Sequence, residues 1–149
     1  MAFKDPGVPD EALPAGFYNV TEPVGKGAKN RKADVMLVQL LLKLFYAKRK
    51  HPNPPGKMIV DGIYGPTTAS WLIQYQLREN PQWPSGIATD GVVDRAKDPW
   101  VGSISGTTYT ILALNHRLRQ ADSQLFDKLP LSPDCPSVLA GELLFNGSE

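Results

Sequence analysis

The residues able to do chemistry are few and poorly spaced for it. The two histidines, His51 and His116, lie far apart, and no ligand pair stands at His-x-x-x-His or Cys-x-x-Cys spacing. That argues against a zinc site, whose ligands recur at short fixed intervals. Cys135, the single cysteine, sits between Asp134 and Pro136 in a Pro-rich stretch. It has neither a helix N-terminus nor a neighbouring histidine to stabilise a thiolate, so a nucleophilic role is not expected. No Gly-x-Ser-x-Gly elbow occurs, and Gly25-Lys26-Gly27 does not match a phosphate-binding loop. What remains is a pair of carboxylates, Asp61 and Asp90, which at the right separation would do the work of a glycosidase. Each is followed by glycine, and in an Asp-Gly turn the carboxylate serves nearby backbone N–H groups. The expectation is a protein that is not an enzyme and that needs no metal or cofactor.

The elements around those turns are more informative. Val60 to Gln76 reads as a tight loop feeding a helix. Asp61-Gly62 is a turn dipeptide, and Gly65-Pro66 opens the helix, because proline at the first turn lacks an N–H that would have no partner there anyway. Thr68, Trp71, Leu72 and Tyr75 then fall on one face at 3.6 residues per turn. Thr89-Asp90-Gly91 repeats the turn logic of Val60-Asp61-Gly62, which suggests a weak internal duplication.

This order, Asp-Gly-x-x-Gly-Pro-x-Thr followed by an apolar residue, an aromatic and Gln, resembles the signature of the small three-helix peptidoglycan-binding domain family. Val35, Val38, Gln39 and Leu42 fit that family's first helix, followed by Phe45-Tyr46. Gly86-Ile87-x-Thr89-Asp90-Gly91-Val92-Val93 resembles its second Asp-Gly loop. The resemblance covers Asp34 to about Leu118. It implies an all-α fold, a compact three-helix orthogonal bundle, and non-catalytic binding to cell-wall peptidoglycan through glycan or peptide. It places a groove beside the Asp61–Thr68 loop, with Tyr46, Asp61, Tyr64, Thr68 and Gln74 as candidate lining residues. Trp83, between Pro81 and Pro84 on a loop, is a candidate stacking surface for a sugar ring. Gly62, Gly65 and Pro66 set shape rather than make contacts. The chain departs from the family after Val93, where Asp94-Arg95 and an insertion of about residues 95–105 delay the third helix to around Gly106-Thr107-Thr108.

At 149 residues the chain is sized for one domain with tails, on a prior of about 100–200 residues per domain. Residues 1–33, rich in Pro, Gly and Lys, read as an arm outside the core, with only Phe17-Tyr18-Asn19-Val20-Thr21 suited to extended pairing. Residues 34–126 form the bundle domain, and 127–149 a tail with a short apolar helix at Ser137 to Phe145. Asp34 is expected to cap the first helix. From Val35 to Phe45 that helix is apolar nearly all round, interrupted only by Gln39 and Lys43 at i, i+4. So narrow a polar stripe demands cover, either from the chain's own tails or from another subunit. The third helix is expected to carry Ile111, Leu114, Leu118 and Leu125 on one stripe.

Net charge is +1, which gives no field toward nucleic acid or an anionic membrane. The basic run Lys48-Arg49-Lys50-His51 sits at a helix C-terminus, where cations are favoured by the dipole. No run is long enough to span a bilayer, and the start Met-Ala-Phe-Lys-Asp-Pro-Gly shows no secretory signal. The expected setting is synthesis in the cytoplasm and action at the cell wall, after lysis, through dedicated export or on a virion or injection particle, unless a leader has been lost. An alternative reading follows from the arms and the over-apolar first helix. In it the chain is a structural or adaptor subunit of a phage tail or contractile injection assembly, touching other protein subunits through the N-terminal arm and C-terminal helix.

Overall fold

The first long helix, α1, spans Lys32–Arg49 and is buried at every position from Ala33 to Tyr46 except Lys43. Its cover comes from the chain itself. In the computed structural model, which describes residues 2–5, 16–49, 52–83, 86–97 and 108–145, α1 packs against three further helices and a short strand. These helices are α2 (Pro66–Glu79), α3 (Thr110–Ala121) and α5 (Ser137–Phe145). A five-residue helix, α4 (Ser123–Asp127), links α3 to the tail. Two antiparallel ribbons complete the elements. β1 (Phe3–Asp5) pairs with β2 (Phe17–Asn19), Phe3 opposite Asn19, and β3 (Val24–Gly25) pairs with β4 (Val92–Val93). The protein is mainly helical, and the ribbons are an addition to the all-α expectation.

The described residues 16–25 of the N-terminal segment belong to the core rather than to an arm outside it. Phe17, Tyr18, Val20 and Val24 are all at most 1% exposed. Three polar side chains pull it in. Asn115 of α3 accepts the Tyr18 N–H at 2.7 Å and donates to the Tyr18 carbonyl at 2.8 Å, so it acts as a neighbouring strand would. Asn19 bridges to the backbone of Ala96, donating to its carbonyl at 3.0 Å and accepting its N–H at 3.2 Å. Asp34 accepts the N–H groups of Thr21 and Glu22 at 2.9 and 3.1 Å. It lies inside the first turn of α1 rather than capping it, and burial raises its carboxyl pKa above the usual aspartate value.

α2 begins at Pro66 with Gly65 as its cap residue, as the Gly-Pro pair predicts. The stripe expected to run on to Leu125 is cut instead at Asp122. There the carboxylate accepts the Leu125 N–H at 3.0 Å and starts α4 afresh. Phe126 of α4 is buried edge-on against Tyr18, 5.2 Å between ring centres. α5 has the expected span, and its Leu139 and Leu143 are buried. Lys43 forms an ion pair with Asp134 at 3.0 Å, and Lys48 with Asp122 at 3.1 Å. Lys50, His51, Pro84, most of the expected insertion and Gly106-Thr107 of the expected third-helix start lie outside the described residues. α3 itself begins at Thr110, after Tyr109, because Thr108 is drawn into a bridge with Ile87.

Candidate functional site

Gln39, at mid-α1 and 1% exposed, organises the first Asp-Gly turn. Its Oε1 accepts the N–H groups of Asp61 and Gly62 at 3.1 and 2.9 Å. Its Nε2 shares two hydrogens among Asp61 Oδ1 (3.0 Å), the Ile63 carbonyl (3.1 Å) and Thr68 Oγ1 (3.0 Å). Asp61 Oδ1 also accepts the Ile63 N–H at 3.0 Å. Gly62 has φ of 79°, and a Cβ there would stand 3.0 Å from the Lys32 carbonyl and 2.5 Å from Lys32 Cγ. Only glycine meets both demands.

The second Asp-Gly turn is held the same way from α2. Gln76 Oε1 accepts the Gly91 N–H at 2.8 Å, and its Nε2 donates to the Val92 carbonyl and to Thr110 Oγ1, both at 3.1 Å. Asp90 Oδ1 accepts the Val92 N–H at 3.0 Å. In each case a buried glutamine of one helix clasps the turn and a buried threonine at the start of the next helix.

Beside the first clasp lies an open recess of about 190 Å³. Its walls include Gln39, Lys57, Ile59, Asp61, Ile63 and Thr67, with Pro66 and Thr68 at the helix end. Ile59 and Ile63 are 57% and 67% exposed, so an apolar rim surrounds a polar floor. The Ile63 N–H, and after it Gln39, hold the Asp61 carboxyl below the usual aspartate pKa, so it faces solvent ionised.

Of the residues picked from sequence, the recess brings together Asp61 and Thr68. Tyr46 is instead buried in the core, edge-on to Trp71 at 5.3 Å, and burial raises its hydroxyl pKa. Tyr64 is half-buried, packs on the core, and its hydroxyl is bonded by the backbone of Lys26. Gln74 is exposed and makes a long 3.4 Å bond to Ser70 of its own helix. Trp83 joins α2 to α3. Its Nε1 donates to Glu79 Oε1 at 3.1 Å, and the Arg117 guanidinium lies 5.0 Å from its ring centre. Arg117 Nε also donates to Glu79 Oε1 at 2.6 Å, and the His116 ring stands edge-on to the indole. Lys57, Ile59, Ile63 and Thr67 line the recess as well, although their residue types alone do not mark them in the sequence. Their flanking of the first Asp-Gly turn was the signal available.

A larger recess of about 620 Å³ lies between Thr21–Pro23 and Asp94–Lys97, with Tyr109. Burial, and the nearby Asp90, raise the Asp94 carboxyl pKa. Four of its lining residues, Asp94, Arg95, Lys97 and Tyr109, stand in sequence on either side of residues 98–107, which lie outside the described residues.

Among the described residues no group of three or more His, Cys, Asp or Glu side chains could hold a metal ion. No described helix is long and apolar enough to cross a membrane. In comparisons with known proteins, the chain matches no family profile, no curated protein and no solved structure.

Proposed function

We propose that this chain is a non-catalytic peptidoglycan-binding module of the small three-helix wall-binding type, with α1, α2 and α3 as its three helices, acting at the cell wall. The observation that carries the reading is the clasped Asp61-Gly62 turn. Gln39 fixes the Asp61 carboxylate and the Ile63 backbone beside a recess before any ligand arrives. A preformed site loses little ordering entropy on binding, which suits a module with a shallow surface. Asp61 is engaged by N–H donors that favour its charged form, which fits an acceptor of ligand hydrogen bonds better than a proton donor in catalysis.

The cover over α1 supports a self-contained binder over an assembly subunit. An α1 left bare would have asked for a protein partner; instead α3, α5, α2 and β3 take up that surface. The test is retention on purified insoluble peptidoglycan at micromolar protein. The protein is expected to be retained, Ile63→Ser to weaken retention, and Leu77→Ser to leave it unchanged, since Leu77 is 58% exposed but does not line the recess. No retention of the unaltered protein overturns the reading.

A further inference from the structure

The lining of the recess indicates which part of the wall polymer it holds, and this inference rests on the reading above. A sugar ring is held by laying its C–H face on an aromatic side chain. Among the described residues lining the recess none is aromatic. Trp83 carries Arg117 over its ring and is tied to Glu79, and Tyr46 is buried. What the recess does offer is a cation, an anion and two aliphatic side chains: Lys57, Asp61, Ile59 and Ile63. Lys57 and Asp61 are both exposed, and neither belongs to an ion pair among the described residues. At about 190 Å³ the space falls below the about 300–1,000 Å³ of a drug-sized site, so it suits a segment of a polymer.

We propose that the recess takes the peptide stem of peptidoglycan rather than its glycan strand, with an ammonium at Asp61, a carboxylate at Lys57 and a methyl-bearing side chain between Ile59 and Ile63. The stem is the part of the polymer that combines small aliphatic side chains with amino and carboxyl groups. Both charges of the recess lie at the surface, so each contributes modestly, and binding weakens as added salt screens them.

The experiment has two arms. In the first, the protein is added to bead-immobilised peptidoglycan and to glycan strands that an amidase has freed of their stems. The strands are immobilised on the same beads because stem removal also cuts the cross-links that keep the polymer insoluble. Retention is expected on the intact polymer and lost on the stripped glycan. In the second, a soluble stem peptide is titrated into the ¹⁵N-labelled protein. Shifts are expected to centre on Lys57, Ile59, Asp61 and Ile63, with affinity falling about two- to fivefold for Lys57→Gln and for Asp61→Asn. Thermal melts of both variants separate lost binding from lost folding. Equal retention on stripped glycan, or a soluble peptide that shifts none of these residues, overturns the inference while leaving wall binding intact. No retention on either polymer overturns the parent reading. Peptide shifts at the recess in that case keep peptide recognition and detach it from the wall.

Discussion

Gln39 and Gln76 occupy matching positions in two successive helix–turn–helix passages, each with its side-chain Oε1 on the N–H of a turn glycine, at 2.9 Å for Gly62 and 2.8 Å for Gly91. Each also donates to a buried threonine of the following helix, Thr68 or Thr110. Gln39→Ala strips the Asp61 and Gly62 N–H groups of their partner and is expected to cost about 2–4 kcal/mol, read by urea unfolding. Gln76→Ala should fall in the same range. A silent Gln76→Ala beside a damaging Gln39→Ala would refute their equivalence.

Two glycines flanking the first turn should respond differently to a methyl group. Gly62→Ala meets both a left-handed backbone and the Lys32 carbonyl, and should lose about 2–4 kcal/mol. Gly65 has φ of −124° and nothing within 4 Å of an added Cβ, so Gly65→Ala should cost no more than about 1 kcal/mol. Thermal melts of the two variants give the ranking directly.

Removing the N-terminal segment should dismantle the core. Asn115→Ala leaves the Tyr18 N–H and carbonyl unpaired in the interior and is expected to lose about 2–4 kcal/mol. Tyr18→Phe deletes one bond, from the hydroxyl to the Phe126 carbonyl at 2.7 Å, and should lose about 1 kcal/mol. Deleting residues 1–23 takes out Phe17, Tyr18 and Val20 together. Circular dichroism on heating should then show no cooperative transition; a sharp one would mean that the segment is dispensable.

Acid should act oppositely through two aspartates. The folded pKa of Asp61 is depressed, so its contribution is present above the unfolded value of about 3.9 and is lost as pH falls through the lower folded value. Asp34 is raised by burial, so the folded chain takes up that proton first and gains stability as pH falls toward about 3.9. The stability gap between the unaltered protein and Asp61→Asn should therefore shrink below about pH 4. The difference in stability, unaltered protein minus Asp34→Asn, should rise as pH falls from neutrality toward about 4. Denaturant titrations from pH 3 to 7 would expose a reversed sign in either case.

Cys135 should be a slow thiol. Burial pushes its pKa up to about 11, so at pH 8 about one molecule in a thousand carries the reactive thiolate. Labelling with Ellman's reagent at pH 8 should be far slower for the folded protein than in urea. Equal rates would contradict the burial.

Local chemistry made some of this legible from sequence, and packing hid the rest. The Gly65-Pro66 helix start and the Ser137–Phe145 helix follow from turn residues and apolar content. The buried segment from Phe17 to Val20 is covered on both faces, so it lacks the alternation that marks a half-exposed strand, and the Pro- and Gly-rich residues around it read as a tail. Gln76, not the candidate Gln74, does the clasping. Two residues along a helix turn a side chain by about 200°, which separates solvent from core. Gln39 looked like part of a polar stripe because its partners, at 61–68, are distant in sequence. Nor could the sequence show that Arg117 would occupy one side of the indole of Trp83.

The sheath around α1 also sets a constraint on biosynthesis. The helix receives a strand from residues before it and α5 from far downstream; the ion pair linking Lys43 to Asp134 closes a loop of 91 positions. A nascent chain emerging from the ribosome can cover α1 with β3, α2 and α3, but displays the part of α1 that α5 packs on until Leu139 and Leu143 have been synthesised. Folding must finish after translation of that last helix, and chaperone demand should peak on chains stalled just short of it.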